Sequence, residues 1–164
     1  MPDWIESRVV GRKQWNDSLF SLEIEADLAE FRAGQFVRVA MDIDGERVGR
    51  PYSLVNPPET RRLEIHFNEV PQGPLSPRLS QLQNGERIWV SSKASGAFTL
   101  DKVPACKDLW LLATGTALGV YLSILRTEAP WSRFEKIFLV HGARHGRDLA
   151  YTETLEALRA RHGK

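Results

Sequence analysis

Between Arg50 and Ser53 the chain reads Arg-Pro-Tyr-Ser, which sets a guanidinium, a phenol and a hydroxyl side by side where an apolar stretch begins. Proline supplies no backbone donor, so this sequence suits the start or edge of a strand. Each residue has an ordinary reading alone: a solvated arginine, a half-buried tyrosine with its hydroxyl satisfied, a surface serine. Together they are more specific. Arginine binds phosphate oxygens with a fixed fork of donors, tyrosine presents a flat face to a flat ring, and the serine offers a hydroxyl and an N–H to a polar ring atom. Phosphate, ring face and ring edge describe a flavin nucleotide. A second feature points the same way. Ser76 stands at a natural N-cap position with Pro77 at the first helical position and Gly85 just past the end. The N-terminus of such a helix is an anion site, and with Arg50 it would hold a pyrophosphate from two sides. The plainer reading is an ordinary capped helix.

The remainder of the sequence narrows the classes of function. The 164 residues suit one domain or two small ones, and 42% hydrophobic with 26% charged residues is the composition of a globular protein. A formal net charge of +1 speaks against nucleic acid as the main partner, because phosphate backbones demand a basic surplus. Cys106 is the single cysteine and the histidines, His66, His141, His145 and His162, have no zinc spacing, so neither an internal disulfide nor a metal site is expected. The N-terminus carries acids and no apolar core. It does not read as a secretory signal, and a cytoplasmic location is expected. The uncharged run from Leu109 to Leu125 approaches the length of a membrane helix, but Thr114, Gly115 and Thr116 interrupt it. It reads as a buried strand, a tight turn and a buried helix, with no membrane contact.

The elements that must position these residues change character along the chain. Short runs rich in Val, Ile and aromatics lie at 5–15, 19–26, 34–43, 46–55, 63–70 and 87–92, separated by turn signals such as Asp44-Gly45 and Asn84-Gly85. Their spacing predicts a small barrel or sandwich, interrupted by the helix that opens at Ser76. After a polar boundary near residues 99–108 the pattern becomes strand, helix, strand, helix: 108–114, 117–128, 136–144 and 151–164, the last amphipathic with Leu155 and Leu158 on one face. That alternation predicts a parallel sheet. Two strands leave an edge or a face of such a sheet bare, so the expectation is a fragment, or a sheet completed by another chain.

The chain resembles the plant-type ferredoxin–NADP⁺ reductase family, in particular its bacterial flavodoxin/ferredoxin–NADP reductases. The resemblance runs in order through 33–58, the segment around Ser76, Ser95–Asp101, 109–126 and 139–151. It implies a six-stranded antiparallel Greek-key β-barrel with one helix over 1–101, binding FAD, and an incomplete Rossmann-like α/β domain over 102–164 for NADP. It also implies roles for residues. Arg50 would contact FAD phosphates with Pro51 beside it. Tyr52 would pack along the flavin, and Ser53 would bond near its reactive N5, these two being the catalytic pair. His66, Phe67 and Asn68 would line the flavin and adenosine part. Pro74, Leu75 and Ser76 would cradle the pyrophosphate, and Thr116 would lie on the nicotinamide side. Ala143 and Arg144 would lie near the NADP phosphates. Val120 departs from the proline of many relatives.

The implied activity is hydride transfer from NADPH to flavin N5, followed by single electrons to ferredoxin or flavodoxin, in a chain that is a monomer if complete. Arg32, Arg47 and Lys93 are candidates to meet an acidic acceptor or are simply solvated. Two other readings stand beside this one: a flavin-binding module without productive NADP binding, and a partner-dependent half-domain with an empty barrel.

Overall fold

In the computed structural model, which describes residues 3–163, the valine-, isoleucine- and aromatic-rich runs form β1 (Trp4–Gln14), β2 (Leu19–Glu25), β3 (Phe36–Ile43), β4 (Glu46–Ser53), β5 (Arg62–Asn68) and β6 (Arg87–Ser91). They pair antiparallel in the order β4-β3-β6-β1-β2-β5. The two end strands also meet: Leu54 bridges Ile65, and Val55 N–H donates to the Glu64 carbonyl at 2.8 Å. The sheet thus curls into a barrel. Side chains alternate across it with period two, so Leu63, Ile65 and Phe67 of β5 enter the barrel core. Glu64, His66 and Asn68 point outward. The Asp44-Gly45 turn between β3 and β4 has positive φ at both residues, 51° and 84°, as a type I′ hairpin requires.

The helix expected between Ser76 and Gly85 is only a single turn, α1 (Ser76–Leu79). Ser76 is its first residue rather than its cap. Leu75 holds the cap position, its carbonyl accepting the N–H groups of Arg78 and Leu79 at 3.0 Å each, while the Ser76 hydroxyl accepts the Val70 N–H at 2.9 Å. The helical bonding loosens into i−3 turns, with Gln81 N–H on the Arg78 carbonyl at 3.3 Å and Leu82 N–H on the Leu79 carbonyl at 3.2 Å, and the donors after them are drawn elsewhere. Gln83 N–H goes to the Glu86 carboxylate at 2.6 Å and Gly85 N–H to the Val9 carbonyl of β1 at 2.7 Å.

The second half contains β7 (Asp108–Thr114), a 3₁₀ turn (Gly115–Ala117), α2 (Leu118–Leu125), α3 (Ala129–Arg133), β8 (Lys136–Gly142) and α4 (Thr152–His162). β7 and β8 are parallel, in register from Asp108↔Lys136 to Thr114↔Gly142. The uncharged run therefore splits into strand, turn and helix, and no described helix is long and apolar enough to cross a membrane. α3 was not anticipated. It carries Pro130 in its first turn, and its Trp131 indole N–H donates to the Leu125 carbonyl at 2.8 Å. One face of the small sheet, Leu109, Leu111 and Ala113, packs on α2 and α4, where Leu155 and Leu158 meet it. The other face leaves Trp110, Leu112, Phe138 and Val140 exposed, with the rings of Trp110 and Phe138 stacked at 4.3 Å.

The two halves meet along α2 and β5. Gly119 lets α2 approach closely: a Cβ there would lie 3.0 Å from Val55 Cγ2 and 3.6 Å from His66 Cβ. Ser123 Oγ donates to the Asn56 carbonyl at 2.7 Å, and Arg126 pairs with Glu64 at 2.7 Å.

Candidate functional site

The barrel and the carboxyl end of β7 enclose a cleft of about 710 Å³. Arg50, Pro51, Tyr52 and Ser53 reach it from β4, and His66, Phe67 and Asn68 from β5. Pro74, Leu75 and Ser76 line it from the entry to α1, and Thr116 from the turn after β7. Four further residues line it that the sequence reading did not single out: Val70, Gly73, Thr114 and Ala117. Gly73 and Val70 form a short loop closed by a 2.8 Å backbone bond, and their contribution is shape rather than chemistry, which leaves no residue-type signal. Ala143 and Arg144 do not line the cleft. They follow the end of β8, exposed, beside the Thr114↔Gly142 register pair, on the carboxyl edge where parallel sheets bind ligands.

The polar groups of the cleft are largely unengaged. Arg50 uses Nη1 on the Gly49 carbonyl at 2.9 Å, and its other donors have no partner among the described residues. Among the described residues the hydroxyls of Tyr52, Ser53 and Thr116, the Asn68 amide and the N–H groups of Leu75 and Ser76 have no protein partner. Tyr52 stands edge-on to Phe67, ring centroids 5.8 Å apart, and burial pushes its phenol up to about 12 against the pull of Arg50. It is a neutral donor at any ordinary pH. His66 is pushed down to about 4, chiefly by burial and against the stabilising Phe20 carbonyl and Glu64 carboxylate, so it is neutral as well. Free backbone donors, one guanidinium, a half-buried ring and several hydroxyls fit an elongated ligand that is anionic in the middle and flat at one end. No group of three or more potential metal ligands occurs among the described residues.

Residues 11–98 match the family model of the oxidoreductase FAD-binding domain, and residues 111–164 that of the oxidoreductase NAD-binding domain. The chain belongs to the oxidoreductase FAD-binding domain family. Within this family it is similar to the flavodoxin/ferredoxin–NADP reductase of Escherichia coli, 47% identical over 162 residues that cover 99% of this chain and 65% of the relative. The ferredoxin–NADP reductase of Pseudomonas aeruginosa is 35% identical over 99% of this chain and 63% of its own length. A crystal structure of a ferredoxin NADP⁺ reductase from Neisseria gonorrhoeae with bound FAD and NADP superimposes with a TM-score of 0.92 at 26% identity, covering 98% of this chain and 66% of that one. The chain thus spans about two thirds of the length of the relatives it matches. The family resemblance seen in the ordered motifs is the one these comparisons find.

Proposed function

We propose that the chain binds FAD in the cleft and takes part in electron transfer between NADPH and ferredoxin or flavodoxin, with residues 1–101 as the FAD domain and 102–164 as part of the NADP domain. The observation that carries this is the convergence of the Arg50–Ser53 strand, the Leu75–Ser76 donors and Thr116 on one cleft. When bound, the flavin supplies the redox chemistry, accepting a hydride and releasing single electrons. The residues bind and orient. Arg50 balances phosphate charge, joined by the Leu75 and Ser76 N–H groups. Tyr52 stacks as a neutral ring, Ser53 donates a hydrogen bond toward N5 and Asn68 holds the polar part of the ligand. Thr116, on the opposite wall, faces the nicotinamide side. Ala143 and Arg144, at the end of β8, serve the NADP phosphates from outside the cleft. The three basic residues considered for an acidic acceptor differ in availability: Arg32 pairs with Asp101 and Arg47 with Asp42, while Lys93 is exposed.

The test is the visible spectrum of the purified protein, before and after NADPH is added without oxygen. Flavin bands that bleach on addition are the expected result. Arg50→Ala should retain roughly ten- to hundredfold less FAD at a given free concentration, the worth of a charge-assisted contact of about 1.5–3 kcal/mol, with the fold intact by circular dichroism. No bands, and none restored by added FAD, overturn the reading. The bare face of the β7–β8 sheet favours a second reading, a flavin module without productive NADP binding, in which the bands form but persist.

A further inference from the structure

Behind the cleft wall, a chain of hydrogen bonds joins the two halves. His66 Nδ1 lies 3.1 Å from the Phe20 carbonyl and 3.0 Å from Ser21 Oγ. Ser21 Oγ also receives the Trp15 indole N–H at 2.9 Å and lies 2.7 Å from the Tyr151 hydroxyl. That hydroxyl is 2.7 Å from Glu64 Oε1, and the other carboxylate oxygen of Glu64 pairs with Arg126. Ser21, His66 and Tyr151 are all buried.

Donor and acceptor chemistry fixes the direction of this chain. A carboxylate only accepts, so Tyr151 must give its single proton to Glu64. Tyr151 can then only accept from Ser21, and Ser21 must give its own single proton to Tyr151. The indole of Trp15 only donates, so Ser21 accepts there and has no proton left for His66. A carbonyl only accepts, so Nδ1 must carry the hydrogen that Phe20 and Ser21 share, a three-centre arrangement. If Nδ1 were bare, the Phe20 contact would have no proton, and either the Ser21–Tyr151 or the Ser21–His66 contact would lack one as well. The series runs from His66 through Ser21 and Tyr151 to Glu64. It leaves Nε2 of a neutral imidazole as a lone pair with no partner among the described residues, on a residue that lines the cleft.

We infer that His66 is held by Ser21, Tyr151 and Glu64 as the Nδ1–H tautomer and that its Nε2 accepts a hydrogen bond from an N–H of the nucleotide bound in the cleft. Tyr151 is the positioning residue of this relay. Its backbone sits in the left-handed region at φ 61°, uncommon for a bulky side chain, and there it carries its phenol from the start of α4 into the barrel wall. The second half thereby sets the polarity of a group in the flavin half. The titratable and charged groups facing His66 are Glu64 on its own strand, His141 from β8 and Tyr151 from the start of α4. None of them supplies a donor to Nε2. The ligand part of this inference rests on the proposed nucleotide site, whereas the tautomer does not.

The experiment is ¹⁵N NMR of the whole chain labelled at histidine, with His66 assigned by the loss of its signals in His66→Gln. The protein without added nucleotide should show the Nδ1–H, Nε2-bare pattern. Tyr151→Phe, which removes only the hydroxyl, should convert a measurable fraction to Nε2–H. Glu64→Gln, which keeps a carbonyl acceptor for the Tyr151 proton, should retain the parent tautomer. If Tyr151→Phe fails to fold, Glu64→Ala gives the same reading, because Tyr151 without its acceptor can turn its proton to Ser21 and so free the Ser21 proton for Nδ1. A parent that is Nε2–H, or a tautomer indifferent to both Tyr151→Phe and Glu64→Ala, overturns the relay. Addition of FAD should shift Nε2 in the direction of an accepted hydrogen bond. A shift that appears only when NADP⁺ follows identifies the nicotinamide amide as the donor instead of the flavin ring. Flavin bands with no Nε2 shift in either step overturn the ligand contact while leaving the proposed function standing. Absence of flavin binding overturns that function and the contact, but leaves the tautomer result intact.

Discussion

His66 shows how one residue's surroundings set its chemistry. It faces outward from the barrel, where a histidine would normally be solvated, but α2 and the start of α4 cover it and leave it 7% exposed. Burial depresses its folded-state pKa from 6.5 to about 4. The sign of the consequence follows from linkage. Between these values the unfolded chain binds a proton at this position and the folded chain does not, so stability rises with pH across that window. The contribution is fully present above about pH 6.5 and is lost progressively as pH falls toward 4, to a total of about 3 kcal/mol. His66→Gln cannot be charged and should lack this part of the slope. Urea unfolding of parent and variant at several pH values between 4 and 7 measures it. The stability difference between them should change with pH by that amount, and parallel curves would remove His66 as the source.

At the scale of elements, the barrel depends on where its chain segments cross. Gly34, ahead of β3, has φ +100°, and a Cβ there would meet the Phe98 carbonyl oxygen at 1.8 Å. This is where the segment at 95–98 is tied to β3 by paired bonds between Phe36 and Ser95, 2.9 Å each way. Gly34→Ala must move backbone and should cost about 3 kcal/mol or more. Gly45 has a positive φ but nothing within 4 Å of such a Cβ, so Gly45→Ala should cost about 1 kcal/mol, the left-handed penalty alone. Thermal unfolding of the two variants separates crowding from φ. These elements also show what the sequence made legible. All the barrel strands could be read because period-two alternation and turn residues are local signals. The Arg50–Ser53 cluster and Ser76 stand out by residue type and line one cleft, whereas Leu75, an apolar residue that offers only its backbone N–H, is marked by the family resemblance alone. The length of α1 could not be read: its bonding loosens to i−3 turns at Gln81 and Leu82, and bonds to Glu86 and to distant β1 then carry the chain away. The relay could not either: Ser21, Glu64 and Tyr151 acquire meaning only when folding brings together residues 130 positions apart in the case of Ser21 and Tyr151.

For the whole molecule, the question is how a two-stranded parallel sheet with one bare face stays folded. Two strands alone are marginal in water, and Trp110, Leu112, Phe138 and Val140 contribute little burial. Beyond its own packed face, the second half therefore draws stability from the barrel, through the Gly119 approach, the Ser123–Asn56 bond, the Tyr151 relay and the Arg126–Glu64 pair. Arg126 has the widest reach of these, because Nη1 bonds both the Glu64 carboxylate and the Val55 carbonyl, at 2.7 and 3.1 Å. The pair is only partly screened by water, its side chains being 22% and 17% exposed. Arg126→Ala leaves Glu64 half-buried without its cation and should weaken the interface by about 2 kcal/mol. Because the barrel has its own closed core, that loss should fall on the second half alone, as local opening rather than global unfolding. Hydrogen exchange followed residue by residue is the measurement. Amides of β7, β8 and α2 should exchange roughly thirtyfold faster in the variant, the rate equivalent of that energy, while those of β1, β2 and β6 keep their parent rates. Equal acceleration in both halves would mean that they unfold as one cooperative unit, and that the barrel in turn leans on the small sheet.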